Sequence, residues 1–165
     1  PVVYLGRTTP DMEGAFTSTL RVFEDVQISA MLDWKRGYKK LDGNRRVRCF
    51  LFIMCRENFY PNEFNDIVVG EIASSSHLSG YVQDASYTKL REVSVTYALP
   101  AQWAEMVNAG ALSLSLAGRN LYTWTDYDGL EPEASFQRGD RGFGQWEQNV
   151  TPQLRSFVTS IQMTF

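Results

Sequence analysis

Long apolar runs and histidines are scarce in this sequence of 165 residues. The longest unbroken apolar run, Cys49 to Cys55, has seven residues, whereas a membrane-spanning helix needs roughly 18 or more. A transmembrane helix is therefore excluded. With one histidine in the chain, His77, a histidine-activated nucleophile or a two-histidine metal site would depend on a single side chain. We expect His77 to be a solvated loop residue.

Cysteine is also scarce. Cys49 and Cys55 are too few for a disulfide scaffold, and no Cys/His cluster indicates a zinc site. A bridge between the two is one alternative, and two free buried thiols are the alternative that we favour. The sequence begins at Pro1 without a charged segment followed by an apolar one, which predicts a fragment or a mature product.

Positive charge does not dominate the sequence, because the formal net charge is −3. This balance, together with 13% aromatic residues, argues against a disordered chain and against a nucleic-acid binder attracted by charge alone. A basic run of Lys and Arg lies between Lys35 and Arg48. We expect it to be a solvated loop, with binding of an anionic ligand as the alternative.

Apolar and polar residues alternate with a period of two in several segments, which predicts β-strands. The strands are predicted near residues 14–23, 26–36, 86–99, 111–124 and 154–165. At about 10 to 13 residues they are longer than ordinary globular strands and match the roughly 9 to 11 residues of a membrane-spanning strand. We therefore predict an all-β fold, an antiparallel transmembrane β-barrel segment with about five long strands.

One face of each predicted strand is apolar, and the other carries mainly Ser, Thr, Gln, Ala and charged residues. This pattern is typical of lipid on one side and an aqueous lumen on the other. The residues predicted to face lipid are Val26, Ile28, Leu32, Val93, Val95, Leu112, Leu114 and Leu116. Within the fourth segment, Gly118–Asn120 predicts a bulge or kink.

The connections between the predicted strands are alternately short and long, at residues 24–25, 37–85, 101–110 and 126–153. Outer-membrane barrels have short periplasmic turns and long extracellular loops, so this order predicts a periplasmic C-terminus. A compact domain seldom keeps a loop as long as 37–85 without structure of its own. We expect short helices near Arg45–Asn58 and at Gln102–Asn108.

Two further clusters are candidates for binding. Asp126, Asp128 and Glu131 could bind a hard cation through oxygen ligands, although their spacing misses the EF-hand pattern and a solvated turn is the interpretation that we favour. Phe136, Phe143 and Trp146 could stack on a carbohydrate; packing of the loop over a barrel mouth is the favoured alternative.

Three segments, in order, resemble the end of SusC/RagA-type TonB-dependent outer-membrane transporters. Residues 81–100 (YVQDASYTKLREVSVTYALP) and 114–133 (LSLAGRNLYTWTDYDGLEPE) resemble segments that recur near the end of that family. Residues 151–165 (TPQLRSFVTSIQMTF) are similar to its last strand, which ends on an aromatic residue presented to the barrel assembly machinery. The residues expected to form this assembly signal are Phe157, Ile161, Met163 and Phe165.

The resemblance implies that residues 1–165 are the C-terminal part of a receptor barrel of about 22 strands, with the plug domain absent from this sequence. It implies active import of a glycan, oligopeptide or similar nutrient across the bacterial outer membrane, without enzymatic activity or a cofactor. The implied partners are a SusD-like surface lipoprotein, the TonB complex through the missing N-terminal part, the barrel assembly machinery and outer-membrane lipid, but no nucleic acid. The alternative is a soluble, lipocalin-like β-barrel that binds a small ligand; a β-rich enzyme is less favoured, because catalytic constellations are scarce.

Overall fold

A computed structural model of the chain describes residues 4–73, 78–136 and 146–165. The strands are β1 (Met12–Val22), β2 (Val26–Arg36), β3 (Lys39–Asp42), β4 (Val82–Asp84), β5 (Tyr87–Ala98), β6 (Ala111–Thr125), β7 (Trp146–Glu147) and β8 (Ser156–Thr164). The α-helices are α1 (Gly43–Arg46), α2 (Arg56–Phe59), α3 (Asp66–Ala73) and α4 (Ala101–Glu105). A π-helical turn (Val47–Leu51) continues α1, and there are 3₁₀ turns at Pro61–Glu63 and Ser79–Tyr81.

The chain divides into two compact units. The first, here called the strand unit, comprises residues 13–34, 88–124 and 153–165. The second, the loop unit, comprises residues 1–12, 35–87 and 125–152. Along the chain, the loop unit therefore contains the two long connections, β2 to β5 and β6 to β8.

The long strands form a five-stranded sheet in the order β1-β2-β5-β6-β8. β6 and β8 are antiparallel, with Ala111 opposite Thr164 and Arg119 opposite Ser156. Because residues opposite each other in an antiparallel pair share a face, Leu112 and Leu114 lie in one row with their partners on β8. The serines between them share the opposite face with Gln162 and Ser160.

The β1–β2 turn and the irregularity in β6 have backbones with positive φ. Phe23 and Glu24 adopt φ values of 51° and 61°, and the Asp25 amide donates to the Phe23 carbonyl at 2.7 Å. In β6, Asn120 has a φ of 51°, a conformation that Asn tolerates better than most residues. The kink expected at Gly118–Asn120 therefore lies at Asn120.

The loop unit is organised by a small sheet in the order β4-β3-β7. β3 pairs with β4 in antiparallel orientation and with β7 in parallel orientation. Asp42 caps α1, because its carboxylate accepts a hydrogen bond from the Arg45 amide at 2.7 Å. The helical segments α1, Val47–Leu51 and α2 fall where the sequence predicts helix within the long connection.

Two small clusters of buried side chains form the core of the loop unit. One contains Tyr38, Ala85, Tyr87 and Tyr127. The other contains Cys49, Cys55, Ile72 and Tyr81, with Leu41 packed against it. In the second cluster the Tyr81 hydroxyl donates to the Ile72 carbonyl at 2.7 Å, so the polar end of this buried ring is satisfied.

The dominance of antiparallel strands with short intervening helices confirms the all-β prediction. Among the described residues, no helix combines the length and the apolarity needed to cross a bilayer.

The first prediction concerns the contact between Gly14 on β1 and Trp34 on β2. A Cβ atom at Gly14 would lie 2.5 Å from Cζ2 of the Trp34 ring, so a larger residue must displace the indole. We expect Gly14→Val to lower the free energy of unfolding by about 1–3 kcal/mol, as overpacking does. Thermal unfolding of the full-length protein in detergent measures this change. Ala15→Val, at the exposed neighbouring position, is the matched control, and equal effects of the two variants would contradict the packing argument.

Candidate functional site

Cys49 and Cys55 form a disulfide bond in the loop unit, with their Cα atoms 4.8 Å apart. The expectation of two free thiols is therefore wrong. The reason is local geometry, because the π-helical turn Val47–Leu51 and the reversal after it return the chain towards Cys49. Two backbone bonds accompany the reversal, from the Phe52 amide to Val47 and from the Met54 amide to Arg48. Both cysteines are buried.

The segment closed by the disulfide exposes four consecutive apolar side chains. Leu51, Phe52, Ile53 and Met54 are between 59% and 65% exposed, and we call these residues the apolar tip. Ile53 has a φ of 54°, which is unusual for a β-branched residue. The disulfide and the two backbone bonds hold this conformation, so the tip is displayed in a defined shape.

A cavity of about 350 Å³ lies in the loop unit beside the apolar tip. Its charged lining consists of Arg45, Arg48, Arg56, Glu57 and Asp128, and its apolar lining consists of Met54 and Cys55. Arg45 lies in α1 and Arg48 in the π-helical turn that continues it, and both line the cavity. We call this cavity the arginine pocket.

Two of the three arginines in the pocket have carboxylate partners. Arg45 donates to Glu57 at 2.7 Å, and Arg56 donates to Glu63 at 2.7 Å. The side chain of Arg48 makes no hydrogen bond or close ion pair with any residue that the structure describes, although its charge acts to lower the pKa of Glu57 and offsets part of the rise that burial causes in the pKa of Asp42. Asp128 is 75% exposed at its side chain and lies 3.9 Å from Arg45, so its carboxylate is only loosely held.

The pKa of Glu57 lies below the ordinary value of a glutamate. Burial raises the pKa of this carboxyl, but a backbone hydrogen bond, the hydrogen bond from Arg45 and the charges of Arg45 and Arg48 outweigh burial. Glu57 is therefore ionised at neutral pH. Its contribution to stability is present at neutral pH and is lost as the pH falls through the folded-state pKa.

A buried ion pair, Lys40 with Glu147, organises the loop that carries Asp128. The two side chains are fully buried, and Lys40 Nζ lies 4.0 Å from Glu147 Oε2. Lys40 also donates to the carbonyl groups of Glu131 and Pro132 at 2.7 and 3.2 Å, and to that of Ala134. The sequence predicts a solvated basic run here, and for Lys40 that prediction is wrong, because carbonyl groups from a distant segment surround its ammonium group.

The carboxylate of Glu147 also accepts hydrogen bonds from amide groups. Its Oε1 accepts hydrogen bonds from the Asn44 amide group and from the Leu130 backbone, both at 2.9 Å. Its Oε2 accepts from the Glu131 backbone at 3.3 Å. The Tyr127 ring lies 5.4 Å from Lys40 Nζ, within cation–π range. Burial raises the pKa of the Tyr127 phenol, and the negative charge of Glu147 raises it further.

The acidic candidates do not converge on one point. Asp126 and Asp128 are exposed, whereas Glu131 is 5% exposed. The solvated turn expected for all three is therefore wrong for Glu131, because the Lys40 ammonium binds the carbonyl of this residue and holds it inside. Within the part of the chain that the structure describes, no three Asp, Glu, His or Cys side chains are grouped closely enough to hold a metal ion.

Of the three aromatic candidates, the structure describes Phe136 and Trp146, whereas Phe143 lies outside the described residues. His77, the single histidine, also lies outside them. Phe136 is 41% exposed, and its amide donates to the Trp146 carbonyl at 2.7 Å. The Trp146 indole is half-buried and packs over Gly43. This contact agrees with a packing role for Trp146, while stacking on a carbohydrate stays a prediction.

In the strand unit, the residues predicted to face lipid lie on accessible positions of the sheet. Ile28, Val95 and Leu116 are exposed, and the others of that group are half-buried. On β8, Phe157, Ile161 and Met163 stand opposite Gly118, Leu114 and Leu112, and Phe165 follows the strand. All four are exposed. Their role as an assembly signal stays a prediction.

The other face of the strand unit is polar and internally bonded. Arg119 on β6 donates to Glu92 on β5 at 2.8 Å. Hydroxyl groups pair across strands in the same unit. These pairs are Thr19–Ser29 at 3.2 Å and Thr96–Ser115 at 3.4 Å. These pairs show that polar side chains on neighbouring strands bond to one another.

No protein-family model matches the chain. The chain is 34% identical to TonB-dependent receptor P3 of Formosa agariphila over 92 residues, which are 53% of this chain and 9% of P3. It is 25% identical to TonB-dependent receptor P26 of the same organism over 177 aligned residues, covering 99% of this chain and 18% of P26. The chain thus spans less than a fifth of the length of either relative.

Solved structures of the RagAB peptide importer have the same fold over most of this chain. The "closed-closed" state matches with a TM-score of 0.73 at 22% identity, covering 95% of this chain and 17% of the matched one. The "open-open" state matches with a TM-score of 0.72 at 22% identity, covering 96% and 17%. The resemblance to SusC/RagA-type TonB-dependent receptors is confirmed. The barrel-segment fold and the outer-membrane location are confirmed with it.

The second prediction concerns the disulfide bond. We expect Cys49→Ser/Cys55→Ser to destabilise the loop unit by about 2 kcal/mol, the chain-entropy value for so short a closed loop. The variant should be cleaved faster by a protease between Arg46 and Phe59, as measured by limited proteolysis of the full-length protein. Treating the native protein with a reductant should reproduce the effect, and the same treatment should leave the variant unchanged. Equal cleavage rates before and after reduction would contradict a structural role.

Proposed function

We propose that the chain is part of the wall and outer loops of a transporter that imports a nutrient across the outer membrane with energy supplied through TonB. The observation that carries the proposal is the two-faced sheet of the strand unit. Its long strands present apolar rows on one side, and on the other polar pairs such as Arg119–Glu92 and Thr96–Ser115. The similarity to TonB-dependent receptors and to the RagAB importer supports the same function.

The proposed role is physical rather than catalytic. The apolar rows contact lipid, the polar face borders the aqueous lumen, and the long connections that form the loop unit lie outside the cell. The disulfide bond supports an exterior location, because disulfides persist in oxidising compartments. The relatives are receptors and an importer, which supports the absence of enzymatic activity.

The cargo is proposed to be a glycan or an oligopeptide. RagAB is described as a peptide importer, which favours an oligopeptide by similarity of fold. The plug domain and the TonB-binding segment expected from the resemblance would belong to other parts of the full-length protein.

The third prediction uses two neighbouring positions on opposite faces of β6. Leu114 stands opposite Ile161 in an apolar row, and Ser115 stands opposite Ser160 in a polar row. An arginine that faces lipid near the bilayer centre costs about 2–4 kcal/mol, whereas lumen positions tolerate charge. We expect Leu114→Arg to reduce the folded fraction in the outer membrane strongly and Ser115→Arg to leave it close to that of the unmodified protein.

The folded fraction is measured by the shift in gel mobility between unheated and heated membrane samples. Equal effects of Leu114→Arg and Ser115→Arg would contradict a lipid-facing row. A monodisperse, cooperatively melting protein in the absence of detergent would favour the alternative, a soluble β-barrel that binds a small ligand.

We further propose that a SusD-like surface lipoprotein contacts the apolar tip. The tip exposes four adjacent apolar side chains to solvent. Clustered apolar surface of this kind marks interaction sites. The disulfide bond fixes the tip before binding, which lowers the entropic cost of association. The RagAB importer, whose fold this chain shares, supports a two-component assembly of this kind.

The fourth prediction tests this contact. We expect Phe52→Ser/Ile53→Ser to reduce co-purification of the lipoprotein with the full-length transporter by about tenfold, because the loss of a buried aromatic anchor commonly costs more than about 1 kcal/mol. Phe23→Ser is the matched control, since Phe23 is 89% exposed in the β1–β2 turn of the strand unit. Unchanged recovery of the lipoprotein with the double variant would contradict the proposed contact.

A further inference from the structure

The arginine pocket combines a cavity with a guanidinium, that of Arg48, which has no hydrogen-bond partner among the described residues. Its volume of about 350 Å³ falls at the lower end of the range for small-molecule sites. Arg45 and Arg56 already donate hydrogen bonds to carboxylates, whereas the guanidinium of Arg48 donates none to any described residue. The longer-range charges of Asp42 and Glu57 act on Arg48. A guanidinium presents paired N–H donors whose spacing fits a carboxylate.

The charge of the lining selects the kind of anion. Three arginines and two carboxylates leave a net charge of about one positive unit. A monoanion would neutralise this charge, whereas a dianion such as phosphate would meet repulsion from Glu57 and Asp128. Both carboxylates lie in the same lining as Arg48.

The remaining walls suit an organic ligand rather than a free inorganic ion. Met54 and Cys55 of the disulfide line the cavity, and both present polarisable, weakly polar surfaces. The loosely held Asp128 carboxylate, 3.9 Å from Arg45, offers an acceptor for a hydroxyl or amide group of the same ligand. The Asp128 amide donates to Gln83 at 3.0 Å, which fixes the backbone that carries this carboxylate.

We propose that the arginine pocket binds the carboxylate of a small organic ligand, with Arg48 as its anchor and Met54 with the disulfide as its apolar wall. This inference rests on the proposed function, because the ligand is taken to be the cargo or a part of it. A carboxylate of this kind could come from an acidic peptide side chain or from a sugar acid.

The experiment measures binding to the full-length transporter in detergent by titration calorimetry. The probes are two matched pairs: the tripeptide Ala-Glu-Ala with N-terminal acetyl and C-terminal amide groups against its Gln counterpart, and galacturonate against galactose. We expect at least one carboxylate probe to bind about tenfold more tightly than its neutral counterpart, the scale of a charged hydrogen-bonded contact. The pair that shows the difference identifies the source of the carboxylate. Inorganic phosphate should compete poorly.

The variants are Arg48→Gln, Arg48→Lys and the control Arg155→Gln. Arg155 is exposed in the strand unit and outside the pocket, so the control removes the same charge elsewhere. Arg48→Gln should weaken carboxylate binding about tenfold, Arg48→Lys should weaken it less, and Arg155→Gln should leave it unchanged.

Equal binding of acidic and neutral probes, an Arg48→Gln variant that binds as tightly as the unmodified protein, or a folded transporter that binds no carboxylate probe would each overturn the inference. In these cases the gel-mobility shift of the membrane samples still reports a folded barrel, so the proposed function would stand. Loss of that shift in the unmodified protein would instead count against the proposed function.

Discussion

A strand within a bilayer can satisfy its backbone N–H and C=O groups only through neighbouring strands, and the strand unit follows from that constraint. The hydrogen-bonded order β1-β2-β5-β6-β8 supplies those partners. Since side chains alternate across a strand, the same pairing sorts them into an apolar and a polar face. The register of β6 and β8 shows both faces. Leu112 and Leu114 lie opposite Met163 and Ile161, and Ser113 and Ser115 lie opposite Gln162 and Ser160.

The loop unit needs other sources of stability, because its two buried clusters are small. A disulfide bond restricts the unfolded chain around Cys49. The buried pair of Lys40 and Glu147 would be costly alone, since desolvation of two ions can exceed their attraction. Here carbonyl groups, an amide side chain and backbone amides complete the hydrogen bonding of both ions. The pair therefore fixes the backbone of residues 130–134 against β3 and β7.

Sequence periodicity predicts the parts of this protein that depend on near neighbours. Alternation predicts the long strands, and Gly118–Asn120 predicts the irregularity found at Asn120. Contacts between distant segments could not be predicted in this way. Nothing local to Lys40 indicates that carbonyl groups of Glu131 and Pro132 surround its ammonium, and a six-residue spacing does not reveal that a π-helical turn brings Cys49 and Cys55 together. The arginine pocket has the same origin, because Asp128 reaches it from a separate connection.

The disulfide links the two binding features that we propose for the loop unit. Cys49 follows Arg48, and Cys55 precedes Arg56 and follows Met54. Met54 belongs both to the apolar tip and to the wall of the arginine pocket. The disulfide bond restricts the segment that carries both features. Both proposed features therefore depend on the same closed segment.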